Sequence, residues 1–266
     1  MPDGPTIAQI VLVAIAALLL LGGTFASSRR RKPLATLLSL VGIALAVIAQ
    51  VLHSLHRHDF VPLQDNFDAL LWLAILLAAT SLYLRQTPAM GPIDWFATPM
   101  AVLLMAVAAV FGKARPHEYT DTLWAWTHRL SAYLSPLAFA LAAGAGVGYL
   151  MLRKRLRSHR GAPLDTRFGS LERYERVNYL AVQIGFALLT VGLVSGLIRA
   201  LGPDSKLGQH WWLSPKVILS FGTYAIYAVV LHSPINPTFR GPKTAVLSIA
   251  GFVLLLGTLV AVQGMK

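Results

Sequence analysis

Apolar residues run along this chain in blocks of about 20, the length a helix needs to cross the hydrocarbon layer of a bilayer. The pattern predicts eight spans, at Thr6–Ala26, Leu34–His56, Asn66–Arg85, Trp95–Gly112, Leu123–Leu152, Leu171–Ala200, Pro215–Ser233 and Thr244–Val262. Breakers and turn formers separate them, at Pro33, Pro62, Pro88 to Pro92, Gly202-Pro203 and Gly241-Pro242. The expected fold is all-α: a polytopic integral membrane protein with eight transmembrane helices, forming a single membrane-embedded domain over residues 1–266. The first span does not read as a signal peptide. Its Met-Pro-Asp-Gly start lacks a basic leader, and its positive charge follows the apolar run.

Composition sharpens this. Hydrophobic residues make up 56% of the chain and charged residues 13%, about half the charged share of a soluble domain. With no cysteine, disulfides, thiolate metal sites and thiol nucleophiles are excluded. The net charge of +12 would suit nucleic acid, but its placement gives it another meaning. Arg29 to Lys32, Arg85, the run from Arg153 to Arg176, Arg240 and Lys243 fall in alternate loops, and cations are retained on the cytoplasmic side of short loops. That pattern puts both termini on the outer, periplasmic side of an inner (plasma) membrane. The basic charge is then a topology signal, and no soluble domain remains to carry nucleic acid. The longest loop is expected after Leu152, from Arg153 to Thr166, facing lipid head groups.

Polar groups drawn into hydrocarbon carry the candidate chemistry. Histidine stands out, because a neutral imidazole is cheaper to bury than a fixed charge and ligates iron. Of the eight, His58, His117 and His159 fall in charged loops, and His210 precedes Trp211-Trp212. His53 and His128 sit at comparable depth near the outer ends of different spans, an arrangement able to hold haem between helices. His56, one turn from His53, is the alternative ligand, and an interfacial histidine with an ordinary hydrogen bond is the other reading of each. His232 closes span seven on the inner side. Trp124, Trp126, Trp211 and Trp212 read either as an aromatic belt or as a surface for a flat macrocycle. Gln50, Asn66, Asp68 and Gln183 are expected to be buried, bonding one another between helices or a propionate, and Arg129 to pair with a propionate. No phosphate loop, nucleophile elbow or His-Glu-x-x-His motif points to a soluble enzyme.

Several stretches together resemble the cytochrome c assembly protein family, the CcsA/HemX-like membrane proteins. They are Trp126-Thr-His-Arg-Leu-Ser-Ala-Tyr133, Leu171-Glu-Arg-Tyr-Glu-Arg, Leu188 to Gly196, Trp211-Trp-Leu-Ser-Pro-Lys216 and Tyr224 to His232. The resemblance is strongest over 40–264, and the YpjD/HemX subgroup is nearest in appearance, with a histidine ending span two and the Arg240-Gly241 turn before the last helix. It implies a membrane protein that handles haem for c-type cytochromes. His128 takes the place of the outer-face haem histidine, His232 that of the histidine after the tryptophan-rich segment, and His53 that of the second-span histidine.

The chain also departs from that pattern. The tryptophan-rich segment keeps only Trp211, Trp212, Pro215 and Lys216, and the last helix lacks a second outer histidine. These departures point away from thioether synthesis by this chain alone, and hence from an enzyme. The expectation is non-covalent haem b, with another cytochrome c assembly membrane protein as partner. A cofactor-free regulator of haem biosynthesis and a transporter of haem or a small metabolite remain the alternatives.

Overall fold

A computed structural model describes residues 5–29, 31–57, 63, 65–87, 91–112, 122–158, 169–201, 211–233 and 241–264. Among them eight α-helices and one short 3-10 turn appear, and no strand. The helices are α1 (Ile7–Ser28), α2 (Lys32–Arg57), α3 (Asn66–Gln86), α4 (Gly91–Phe111), α5 (Leu123–Ser158), α6 (Leu171–Leu201), α7 (Pro215–Leu231) and α8 (Pro242–Gly264). Helices α1 to α6 are long and apolar enough to cross a membrane, while Pro215–Leu231 and Pro242–Thr258 are shorter apolar helices.

The chain divides into two compact units, Met1–Glu118 and Tyr119–Lys266. In the first, α1 packs on α2 and α4, and α3 packs on α2 and α4, closing a four-helix ring. Local chemistry sets its ends. Thr6 and Gln9 form a reciprocal capping box at the start of α1, and Asp65 caps α3 by accepting the Asp68 N–H at 2.7 Å. Polar groups are concentrated in two buried clusters. In one, Arg85 reaches across α2, α3 and α4 and meets Asp94 through Nε at 2.9 Å. Arg85, expected as a topology charge, is in addition paired with Asp94 on α4.

The second unit is also a ring, in which α5 packs on α6 and α8, and α7 packs on α6 and α8. Small residues let large rings cross between helices: Phe139 lies against Gly185 and stacks on Tyr227 at 3.6 Å, and Tyr174 lies against Gly148. A polar chain runs through this apolar core. Asn178 donates to the Ala142 carbonyl at 2.7 Å, Ser248 donates to Asn178 at 3.2 Å, and Tyr227 donates to the Ser248 carbonyl at 3.1 Å. Each bond satisfies a group that would otherwise cost free energy in a dry interior.

Three expectations are corrected. The basic run Arg153 to Arg157 is not a loop, because α5 continues through Ser158; a helix of 36 residues measures roughly 54 Å and carries its last turns beyond an about 30 Å hydrocarbon layer. Gly91 and Pro92 begin α4 instead of closing the preceding turn, since proline is tolerated in a first turn, where its missing N–H has no partner to lose. Gln183 is exposed, not buried, because the face that α6 buries runs through Asn178, Val182, Gly185 and Leu189 and leaves Gln183 outside it.

Candidate haem-ligand sites

His128 occupies the second turn of α5 and is half-buried against α6. Its Nδ1 lies 2.8 Å from the Gly192 carbonyl oxygen. A carbonyl only accepts, so Nδ1 carries the proton and donates. The neutral ring then keeps its lone pair on Nε2, the tautomer that a histidine offers to a metal when its other nitrogen is anchored to the backbone. Ser195 Oγ stands 3.5 Å from the same Nδ1 and is itself held by the Val191 carbonyl at 2.6 Å. The charges of Lys216, in the first turn of α7, and Arg199, in the last turn of α6, act on this ring.

The neighbouring aromatics form part of the same unit. The Arg129 guanidinium is 4.5 Å over the Trp126 ring, and Arg129 is buried. Trp211 and Trp212 make the 3-10 turn before α7, with Trp211 half-buried and Trp212 exposed. Sequence reasoning gave the propionate role to Arg129, the residue next to His128; Arg199 and Lys216 are two further cations of the same unit. The pairing of Gly192, Ser195 and Arg199 on one side of α6 was legible in their helical spacing, although a backbone carbonyl as the histidine's partner was not.

His232 caps the C-terminus of α7, exposed, with Nδ1 donating to the Ala228 carbonyl at 2.7 Å. It too leaves Nε2 free. The pairings Ser131 with Gly192 and Gly148 with Tyr174 show α5 and α6 running antiparallel, and Ser233 lies beside the Tyr149–Tyr174 end. His128 and His232 are therefore at opposite ends of unit 2 and are not brought together.

His53, in unit 1, is 1% exposed. Its Nε2 lies 2.8 Å from Asp65 Oδ2, which Arg57 also contacts at 2.9 Å. Burial raises the Asp65 pKa, but the His53 hydrogen bond, the Asp68 N–H and the charge of Arg57 outweigh it and hold the carboxyl below its ordinary value. An ionised carboxylate only accepts, so Nε2 donates and the neutral ring keeps its lone pair on Nδ1. That Nδ1 is buried with no hydrogen-bond partner, as is Gln50 Oε1 one turn away. Gln50 Nε2 donates to Asp68, the interhelical bond that the sequence anticipated. Asn66 is only half-buried, and His56 is exposed, on a different part of the α2 surface from the buried His53. Sequence reasoning missed Asp65 as the partner of His53; its position just ahead of α3, three residues before Asp68, was the available signal. His58, His117, His159 and His210 lie outside the described residues.

Among the described residues no group of three or more His, Asp or Glu side chains could hold a metal ion. Haem needs no such group, since the porphyrin supplies the equatorial nitrogens and the protein only axial ones. His128 and His232 fit that demand with free Nε2 atoms. His53 has an unpartnered Nδ1 and Asp65 as the carboxylate that fixes its ring, but at 1% exposure that atom is enclosed by packed side chains.

The family model described as Cytochrome C assembly protein matches residues 31–263, running through both units. The chain belongs to the cytochrome c assembly protein family. Together with its apolar helices this makes it a multi-pass membrane protein. It is similar to proteins named cytochrome c biogenesis protein CcsA: from Guillardia theta, 24% identical over 217 residues, covering 74% of this chain and 71% of that protein; and from Oryza sativa, 34% identical over 85 residues, covering 32% of this chain and 26% of that protein. A third, from Pyropia yezoensis, is 33% identical over 91 residues, covering 34% and 28%. The chain thus matches about a quarter of the length of the rice relative. No solved structure matches it.

Proposed function

We propose that this protein handles haem in cytochrome c biogenesis, holding haem b non-covalently in an inner membrane with both termini outside. The observation that carries this is His128: an imidazole fixed by the Gly192 carbonyl through Nδ1, with Nε2 left as a donor. When bound, haem supplies an iron that accepts axial nitrogen and a flat ring carrying two propionates. His128 would bind through Nε2, Gly192 would hold the ring's tautomer, and Arg129, Arg199 and Lys216 would be the cations for the propionates. Trp126, Trp211 and Trp212 offer apolar surface that excludes water from the macrocycle. His232 provides a second, separate position at the other end of its unit. His53 would be a ligand through Nδ1, its ring fixed by Asp65, once α2 and α3 part to expose it.

The role is accessory. The shortened tryptophan-rich segment and the missing last-helix histidine favour delivery of haem to another assembly protein over thioether formation by this chain.

The test is the visible spectrum and pyridine haemochrome of protein purified after haem-replete expression. A Soret band diminished by His128→Ala supports the reading, and His53→Ala and His232→Ala assign the remaining ligands separately. A protein without a Soret band, or one whose band survives His128→Ala unchanged, overturns it and favours a cofactor-free regulator.

A further inference from the structure

Unit 2 holds a cavity of about 200 Å³ at the end away from His128, where the last apolar turns of α5 meet the starts of α6 and α8. Haem held at His128 makes no use of it. Sites that enclose drug-sized ligands measure about 300–1,000 Å³, so this one admits a head group and not a macrocycle.

The walls determine the charge it favours. Tyr149, Tyr174 and Tyr179 contribute rings and hydroxyls, Ser233 and Thr244 further hydroxyls, and Glu175 a carboxylate. Asn178 also lines it but is committed to the Ala142 carbonyl and Ser248. Among the described lining residues Glu175 is the only acidic or basic side chain. Aromatic faces beside a carboxylate suit a cation. Tyr149 pairs with Glu175. Gly241, at φ +69°, carries the backbone over this pair: a Cβ there would stand 2.9 Å from the Tyr149 hydroxyl and 3.6 Å from Glu175 Oε1. Only glycine combines that conformation with that clearance.

An opposite charge lies one turn beyond the cavity's lining, in a neighbouring hollow that Arg153 forms with Leu150, Lys154 and Arg157. Arg153 is one helical turn from Tyr149 on α5, and its charge acts on the Tyr149 hydroxyl. The first turn of α8 adds partial positive charge along the same rim. This is also the level at which α5 passes from apolar residues into Arg153, Lys154, Arg155 and Arg157, the head-group zone of a membrane helix. An exposed Glu175 and a half-buried Tyr179 leave the cavity accessible from that zone.

We infer that this cavity seats the amine-bearing head group of a zwitterionic phospholipid, its ammonium against Glu175 and the tyrosine rings and its phosphate toward Arg153. The site is separate from His128, on which the haem reading rests, and adjoins His232 through Ser233.

The full chain, stripped of lipid in detergent and returned to nanodiscs containing phosphatidylethanolamine, phosphatidylcholine or phosphatidylglycerol, is read by native mass spectrometry for retained lipid. Phosphatidylethanolamine should be retained over phosphatidylglycerol by about tenfold or more, the factor expected from a charge-assisted contact. Glu175→Gln should abolish that preference, and Arg153→Gln should weaken retention of both phosphatidylethanolamine and phosphatidylcholine. Melting of each variant in lipid-free detergent checks that the fold is intact; if Glu175→Gln melts early, Glu175→Asp, which keeps the charge, must retain the preference while Arg153→Gln loses affinity. Equal retention of the ethanolamine and glycerol lipids, an unaltered preference in Glu175→Gln, or a wild-type protein that keeps no lipid because the cavity holds only water, overturns the proposal.

Discussion

Gly196 forms the floor beneath the His128 imidazole: a Cβ at this position would approach the ring's Cε1 to 2.9 Å and its Nδ1 to 3.1 Å. With Gly192 accepting the Nδ1 proton one turn earlier, α6 sets both the height and the tautomer of the ring. Gly196→Ala therefore has to push the imidazole off its seat. Overpacking of this kind costs about 1–3 kcal/mol, enough to displace a ligand without unfolding the helix. The expected result is normal helicity by circular dichroism with a reduced or shifted Soret band. A Gly196→Ala protein with the wild-type haem spectrum and content would remove α6 from the role of seating the ligand.

Arg199, in the last turn of α6, and Lys216, in the first turn of α7, are proposed to serve the propionates and not the iron, which makes their contribution separable from ligation. Replacing either by Gln should weaken binding of haem with free propionates by about tenfold, the scale of one charge-assisted hydrogen bond. The same substitutions should leave binding of haem dimethyl ester unchanged. Equal losses for both ligands would show that the cations stabilise the protein and not the propionates. The comparison needs only titration of the apo-protein followed at the Soret maximum.

Asp65 holds unit 1 together through His53, Arg57 and the start of α3. Asp65→Asn takes the nearer carboxylate from Arg57, leaving Asp68 at 3.6 Å, and takes the acceptor from His53; breaking a buried pair from one side costs up to about 3–5 kcal/mol. Thermal unfolding in detergent should show this as a large loss. The pH dependence follows from the lowered carboxyl: its contribution is complete above the ordinary value of 3.8 and is lost as pH falls through the lower, folded value. Wild type should therefore lose stability on acidification below pH 3.8 more steeply than Asp65→Asn. Parallel acid profiles for the two proteins would contradict the assignment.

The helices were legible because block length and breakers are local features, and the observed ends fall within a few residues of the expected ones. Where α5 stops was not legible, since Arg153 to Arg157 are as compatible with a helix end as with a loop. Burial within a span was harder. Gln183 is a lone polar residue in an apolar block, and only the spacing of Tyr174, Asn178, Gly185 and Gly192 tells which face of α6 is covered. At the candidate site the histidines themselves were visible as polar residues inside apolar blocks, but their partners were not. His128 is fixed by a backbone carbonyl, which leaves no side-chain trace, and His53 by a carboxylate across a helix connection.

Arg85 offers the cleanest separation of stability from specificity in unit 1. Its Nε and one terminal nitrogen each lie 2.9 Å from the Asp94 carboxylate, while the other donates to Ser39 Oγ at 2.9 Å and to the Ala35 carbonyl at 3.3 Å. Ser81 and Thr98 donate to Asp94 Oδ1 as well, so one buried carboxylate ties α3 to α4 while Arg85 links both to α2. Removing one partner leaves an uncompensated charge in a nearly dry site. Arg85→Met and Asp94→Leu should each destabilise by about 3–5 kcal/mol, whereas the double variant should recover most of the loss, because replacing both members of a buried pair by apolar residues is often neutral or better. Melting temperatures of the four proteins in one detergent close the cycle. Additive losses would mean that the pair contributes little coupling and that Ser39, Ser81 and Thr98 hold the two charges independently.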